Sequence, residues 1–162
     1  MPKLLKKTLL IIGFVLFYFL GIREVRGVIH DAHYGSILPS QQGVISSELY
    51  FEAQSSVSFT FRETYLEHGY GWQYKIPFGS FFLFATIGLL MIEVSKREYG
   101  ILVLIHLFGG IISFLFVLMG LHVWVKFMII PDLLSRYLLP LSSMGYVALM
   151  YLQQRSKVSY EE

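Results

Sequence analysis

The chain has no cysteine among its 162 residues. That excludes disulfides, thiolate metal sites and a cysteine nucleophile. Charge is scarce as well: Asp, Glu, Lys and Arg make up 15% of the residues, against about a quarter in soluble domains. So little charge cannot clothe a water-facing shell, and a hydrophobic content of 55% points to the bilayer as solvent. The net charge of +2 is too small and too scattered for a nucleic-acid partner. Enzyme signatures are missing: there is no P-loop, no nucleophile elbow and no H-E-x-x-H. Neither catalysis by this chain alone nor a bound cofactor is therefore expected. Internal repeats and charges at mid-membrane depth are lacking too, which disfavours a small transporter.

What is present is four apolar runs, at 4–22, 76–94, 101–125 and 133–152. The first contains Lys6 and Lys7, whose long stems can complete the span by snorkelling. Its end, "FYFLGIREVRG", has no small-x-small cleavage site, so an uncleaved helix is expected. Pro77 opens the second run, where a helix tolerates proline. The third is long enough to cross with tilt. The fourth holds Pro140, which removes a backbone bond and can kink the helix. Lys3, Lys6 and Lys7 precede the first run, Lys96 and Arg97 join the second to the third, and Arg155 and Lys157 follow the fourth. Four crossings put all three groups on one side, the cytoplasmic one by the positive-inside rule. The expected fold is an all-α integral membrane protein, one domain over 1–162. It is a four-transmembrane-helix bundle, N-in and C-in. A three-span arrangement, with the last run partly in the interface, is the structural alternative.

The opposite side receives the segment 23–75. Within it "SSVSFTFRETY" alternates Val57, Phe59 and Phe61 with Ser58, Thr60 and Arg62, the period of a half-buried strand. "VISSELYF" (44–51) is a candidate partner, and "EAQSS" can close a short β-hairpin between them. A lone hairpin is marginal in water and needs a surface to lie on. Tyr70, Trp72 and Tyr74 read as an aromatic belt at the start of the second span.

Polar residues near the spans offer several candidate sites. His30, Asp31 and His33 form a possible metal set, since imidazole and carboxylate suit zinc or copper. Three near-neighbours do not easily close a tetrahedron, so a fourth ligand would come from His68, Glu48 or Glu52. The plain alternative is a polar surface loop. Glu93 is expected to pair with Lys96 and Arg97. His106 and His122 are 16 residues apart on one helix, about 24 Å at 1.5 Å per residue, so they cannot bracket one iron. A haem held by His106 and a partner's histidine would make the chain a haem- or metal-binding subunit of a membrane redox complex. The plain alternative is a hydrogen bond from His106 to a neighbouring helix. Gly109, Gly110 and Ser113 share one face of the third span and allow close helix approach, as Gly79, Ser80 and Gly88 do in the second.

The stretch "HVWVKFMIIPDLLSRYLLP" (122–140) joins the last two runs. Trp124 and Lys126 are interface residues by type. Pro131 can open a helix, Asp132 suits its N-terminus, and Arg136 at i+4 can meet Asp132 on one face. Arg136 falls on the same side as Arg23 and Arg26. Three arginines at one mouth would make an anion-friendly patch or a dock for an acidic group. The candidate docking set is Arg23, Arg26, Trp124, Lys126, Phe127, Pro131, Asp132 and Arg136.

The plan of the chain also resembles the small exosortase-associated membrane proteins of Bacteroidota-type bacteria. These are four-span proteins that accompany an exosortase, a multi-span cysteine transpeptidase-like enzyme of surface protein sorting. In "HVWVKFMIIPDLL", Trp124, Lys126, Phe127 and Pro131 fall at the matching spacing, and the first span is followed by Arg23 and an acidic-aromatic stretch. One basic residue stands where the family pattern has two, and Ile130 stands where it has a polar residue. The resemblance implies a non-enzymatic accessory subunit of the bacterial cytoplasmic (inner) membrane, docked on a larger exosortase-like partner. The exosortase's own cysteine cannot come from this chain.

Overall fold

The structure, a computed structural model, describes residues 3–31, 43–44, 49–55, 58–63 and 71–159. Nothing between Arg23 and Ile29 breaks a helix: that stretch has no proline, and only Gly27 weakens the run. The backbone accordingly stays helical through α1 (Lys3–Phe17), a π-helical turn (Tyr18–Ile22) and α2 (Arg23–Ile29). The helix expected to stop at Ile22 therefore continues through the 7 residues of α2. α3 (Ser80–Ile92) is shorter than the apolar run suggests, at 13 residues. Pro77, Phe78 at φ 62° and Gly79 form a non-helical lead-in, and Glu93 at φ 63° ends the helix. After α4 (Lys96–His122) come a 3-10 turn (Val125–Met128), α5 (Ile129–Leu133), a second π-helical turn (Leu134–Leu138) and α6 (Leu139–Ser159). This second π turn has a chemical cause. Pro140 has no N–H to return to the carbonyl four residues back, and the ladder shifts by one, with the Leu139 N–H on the Leu134 carbonyl.

Two stretches, Leu4–Ile29 and Lys96–His122, are long and apolar enough to cross a membrane. Only 6% of the first stretch's apolar window is buried inside the fold, and 28% of the second's. Large apolar side chains are exposed along the other helices too, among them Phe81, Phe84 and Met91 on α3 and Leu141, Leu149 and Leu152 on α6.

The strands make an antiparallel sheet in the order β1 (Gly43–Val44), β2 (Leu49–Ser55), β3 (Ser58–Glu63), β4 (Trp72–Lys75). A two-stranded unit was too small an expectation. Trp72 and Tyr74, expected in an interface belt, are alternate residues of β4 and share one face. That face is buried: Trp72 is 7% exposed, Tyr74 3% and Phe61 1%. They pack on Val117 of α4 and on Val125 and Met128 of the following turn. A second core lies inside the helices, around Tyr18, Phe82, Leu83, Leu89 and Leu102.

Long-range pairs fix the relation of the first helix to α3. Lys7 Nζ lies 2.9 Å from Glu93 Oε1 and donates to the Met91 carbonyl at 3.2 Å. Glu93 was expected to pair with Lys96 and Arg97; instead the antiparallel run of the first helix brings Lys7 to the C-terminus of α3, where a cation also suits the helix dipole. At the other end Arg26 Nη2 donates to the Ile76 carbonyl at 2.7 Å.

The adjacent glycines of α4 serve two different neighbours. A Cβ on Gly109 would sit 2.5 Å from Leu139 Cδ2, and one on Gly110 would sit 2.6 Å from Pro77 Cγ. Ser113, one turn on, is buried. Gly110→Ala should therefore destabilise more than Gly109→Ala. A leucine end can rotate away, whereas a proline ring in a fixed turn cannot. About 1–3 kcal/mol is expected for Gly110→Ala. Denaturant unfolding in detergent gives the comparison, and an equal loss at both positions would refute the assignment of the rigid neighbour.

Candidate anion-binding site

Three side chains from two helices hold the lead-in to α3. Arg26 binds the Ile76 carbonyl. Tyr18 Oη donates to the Phe78 carbonyl at 3.1 Å, and the Phe78 N–H donates to His106 Nδ1 at 3.2 Å. Phe78 occupies the left-handed region without being glycine, which persists only where surrounding contacts over-determine it. Here both its backbone groups are bound, and its ring lies 5.0 Å from Phe82 and 5.4 Å from His106.

This pinned turn forms one wall of a cavity of about 600 Å³. The other walls are the first helix, through Tyr18, Phe19, Arg23 and Arg26, and the last, through Ser135, Arg136, Leu139 and Pro140. Both π-helical turns line it, a backbone feature that concentrates at functional sites. Arg23, Arg26, Lys75 and Arg136 all face it, and no Asp or Glu does among the described residues. Arg26 is 8% exposed, and its buried Nε has no hydrogen-bond partner. Arg23 and Lys75 are exposed and make no ion pair among the described residues.

Arg136 is anchored. Its Nε lies 2.6 Å from Asp132 Oδ1, and its Nη2 donates to the Gly71 carbonyl at 3.1 Å. The same Asp132 Oδ1 accepts the Gln73 N–H at 2.7 Å, while Ser135 Oγ donates to the Gln73 carbonyl at 3.0 Å. The stretch 131–136 thus covers the outer edge of β4, satisfying backbone groups that a sheet edge would otherwise expose. It also divides the candidate docking set. Arg23, Arg26 and Arg136 converge on the cavity. Pro131 and Asp132 are buried and engaged within the chain, so they offer a partner no surface. Trp124 and Lys126 are exposed at the tip, with Phe127 half-buried against Trp124 and Phe116.

Lys75 was missed by sequence reasoning. Its signal was its position just before Ile76 and Pro77, where it shares the mouth with Arg23.

His106 accepts the Phe78 N–H at Nδ1, so its proton is on Nε2, which donates to Ser143 Oγ at 2.9 Å. Both ring nitrogens are thus engaged within the chain. Ser143 is fully buried and donates to the Leu139 carbonyl at 2.6 Å. His30 is 1% exposed, with Nδ1 2.8 Å from Asp31 Oδ1. His33, Glu48 and His68 lie outside the described residues. Among the described residues no three His, Asp or Glu side chains converge on a point that could hold a metal ion. No family model, curated protein or solved structure matches the chain.

Proposed function

We propose that the chain is a non-enzymatic, four-span subunit of the bacterial cytoplasmic membrane. It binds an anionic group in its basic cavity and docks by its outer tip onto a larger membrane partner. The observation that carries the binding is the cavity itself, lined by four cations and, among the described residues, by no acid. Four spans are supported by the paired ends of the helices. Lys7 and Arg26 are 19 residues apart on one helix, about 28 Å at 1.5 Å per residue, close to the 30 Å hydrocarbon core. The segment between Ile76 and Glu93 is bonded to those same two side chains and so covers the same height despite the shortness of α3. Exposed apolar side chains along α3 and α6 suit lipid contact.

The buried contact between His106 and Ser143 is a packing contact, not a nucleophile–base pair. His106 donates to Ser143 rather than accepting from it, the wrong sense for a general base. The exposed Trp124 at the tip, with Val123 beside it, supports docking there. The resemblance names the partner class, an exosortase-like sorting enzyme.

Purification of the tagged chain from its host in mild detergent tests this reading. A multi-span cysteine enzyme should accompany it stoichiometrically, and the double variant Trp124→Ala/Phe127→Ala should lose it. Because the chain has no cysteine, single-cysteine labelling reports topology without background. An impermeant maleimide should reach W124C in intact cells and S156C only after permeabilisation. Labelling of both sites from one side would rule out the four-span arrangement, and haem-bearing partners would rule out the accessory role.

A further inference from the structure

We propose that the group bound in the cavity is the phosphate of an anionic phospholipid, with an acyl chain along the cavity's apolar floor. This rests on the anion-binding reading above and adds the ligand's identity. The first observation is charge. Arg23, Arg26, Lys75 and Arg136 face the cavity, no Asp or Glu among the described residues lines it, and Asp132 beside Arg136 is held by Arg136 and the Gln73 N–H. Guanidinium groups match phosphate oxygens in a planar, two-point contact.

The second observation is Arg26. A buried guanidinium that bonds the Ile76 carbonyl and has the Tyr18 hydroxyl beside it, with its Nε bare, is incompletely satisfied. Such a group in a cavity wall calls for an acceptor.

The third is the polarity of the walls. Three separate elements carry their cation at the sheet end and apolar groups toward the Lys7–Glu93 end. The first helix has Arg23 and Arg26 above Tyr18 and Phe19. The α3 segment has Lys75 above Phe81 and Phe84, and the last helix has Arg136 above Leu139 and Pro140. The lips Phe19, Phe81 and Phe84 are themselves exposed and continue into the apolar surface of the helices. A water-borne acid would gain nothing from that floor, whereas an amphiphile fits both halves.

The full chain, purified in mild detergent, is exchanged into nanodiscs of phosphatidylglycerol or phosphatidylcholine, and retained lipid is read by native mass spectrometry. Phosphatidylglycerol should be retained about tenfold over phosphatidylcholine. The double variant Arg23→Gln/Lys75→Gln changes exposed side chains only. It should lower that retention about tenfold, with unchanged circular dichroism and unchanged unfolding in phosphatidylcholine. Inorganic phosphate should fail to displace the lipid. Displacement by phosphate would identify a soluble oxyanion and overturn the lipid assignment while leaving the anion site standing. So would displacement by an acidic peptide. Headgroup-blind retention unaffected by the variant, with no phosphate or peptide binding, would overturn the site and the anion-binding reading together.

Discussion

Asp132→Ala should detach the sheet from the helices while leaving most of the bundle intact. One carboxylate oxygen accepts the Gln73 N–H and faces Arg136 Nε, and the side chain is 4% exposed. Alanine would strand an edge-strand N–H and take this carboxylate from the partly buried guanidinium of Arg136 at once. Removing one member of a buried pair costs about 3–5 kcal/mol. Arg136 is 29% exposed, and water would recover part of that, so about 2–4 kcal/mol is expected. Asp132→Asn keeps an acceptor for Gln73 and gives up the charge, and should cost roughly half as much. Hydrogen exchange by NMR or mass spectrometry locates the damage. Protection at Gln73 should collapse in the alanine variant, with protection in α4 little changed. An unfolding free energy within about 0.5 kcal/mol of the parent, as for an ordinary surface substitution, together with intact Gln73 protection, would show that the clamp is not what holds β4.

That clamp also marks what spacing alone can and cannot reveal. The Asp132–Arg136 contact was legible because i and i+4 meet on any helix. Gly109 and Gly110 were legible as close-approach positions because a missing Cβ has one use inside a packed bundle. What each approaches, Leu139 or Pro77, was not legible. The convergence of Arg23, Arg26 and Arg136 could be anticipated from charge and side of membrane. Lys75 could not, because its contribution depends on a turn held by Tyr18, Arg26 and His106. Trp72 and Tyr74 misled for a physical reason: aromatics at the end of an apolar run suit a headgroup belt and a sheet core equally well, and only the neighbouring strand decides. Glu93 misled because local cations were at hand, while its partner Lys7 lies on another helix. The end of the first helix was misplaced because charge was taken as a boundary, yet arginine is a good helix former and leaves the ladder unbroken. The aromatic and Glu93 errors share a cause: each depended on a contact between elements distant in sequence.

His106→Leu provides the second large effect and separates a structural histidine from a ligand. The ring is 2% exposed and carries two hydrogen bonds, to the Phe78 N–H and to Ser143. Leucine has similar bulk, so the loss is polar. Ser143 retains its bond to the Leu139 carbonyl, and the stranded group is the Phe78 N–H. An unsatisfied buried donor and two lost bonds amount to about 2–3 kcal/mol. The loss should concentrate in the lead-in to α3, because Phe78 holds its left-handed backbone only while His106 and Tyr18 bind it from both sides. His106→Gln, with both a donor and an acceptor, should recover part of it. Anion binding should weaken alongside stability, since the turn carries Lys75 into the cavity wall. The absorbance spectrum of the purified protein should be featureless between 350 and 600 nm, roughly where haem absorbs, before and after the substitution. A visible band in the parent that His106→Leu abolishes would overturn the structural role and make His106 a ligand; a variant as stable as the parent would show that the Phe78 turn stands without it.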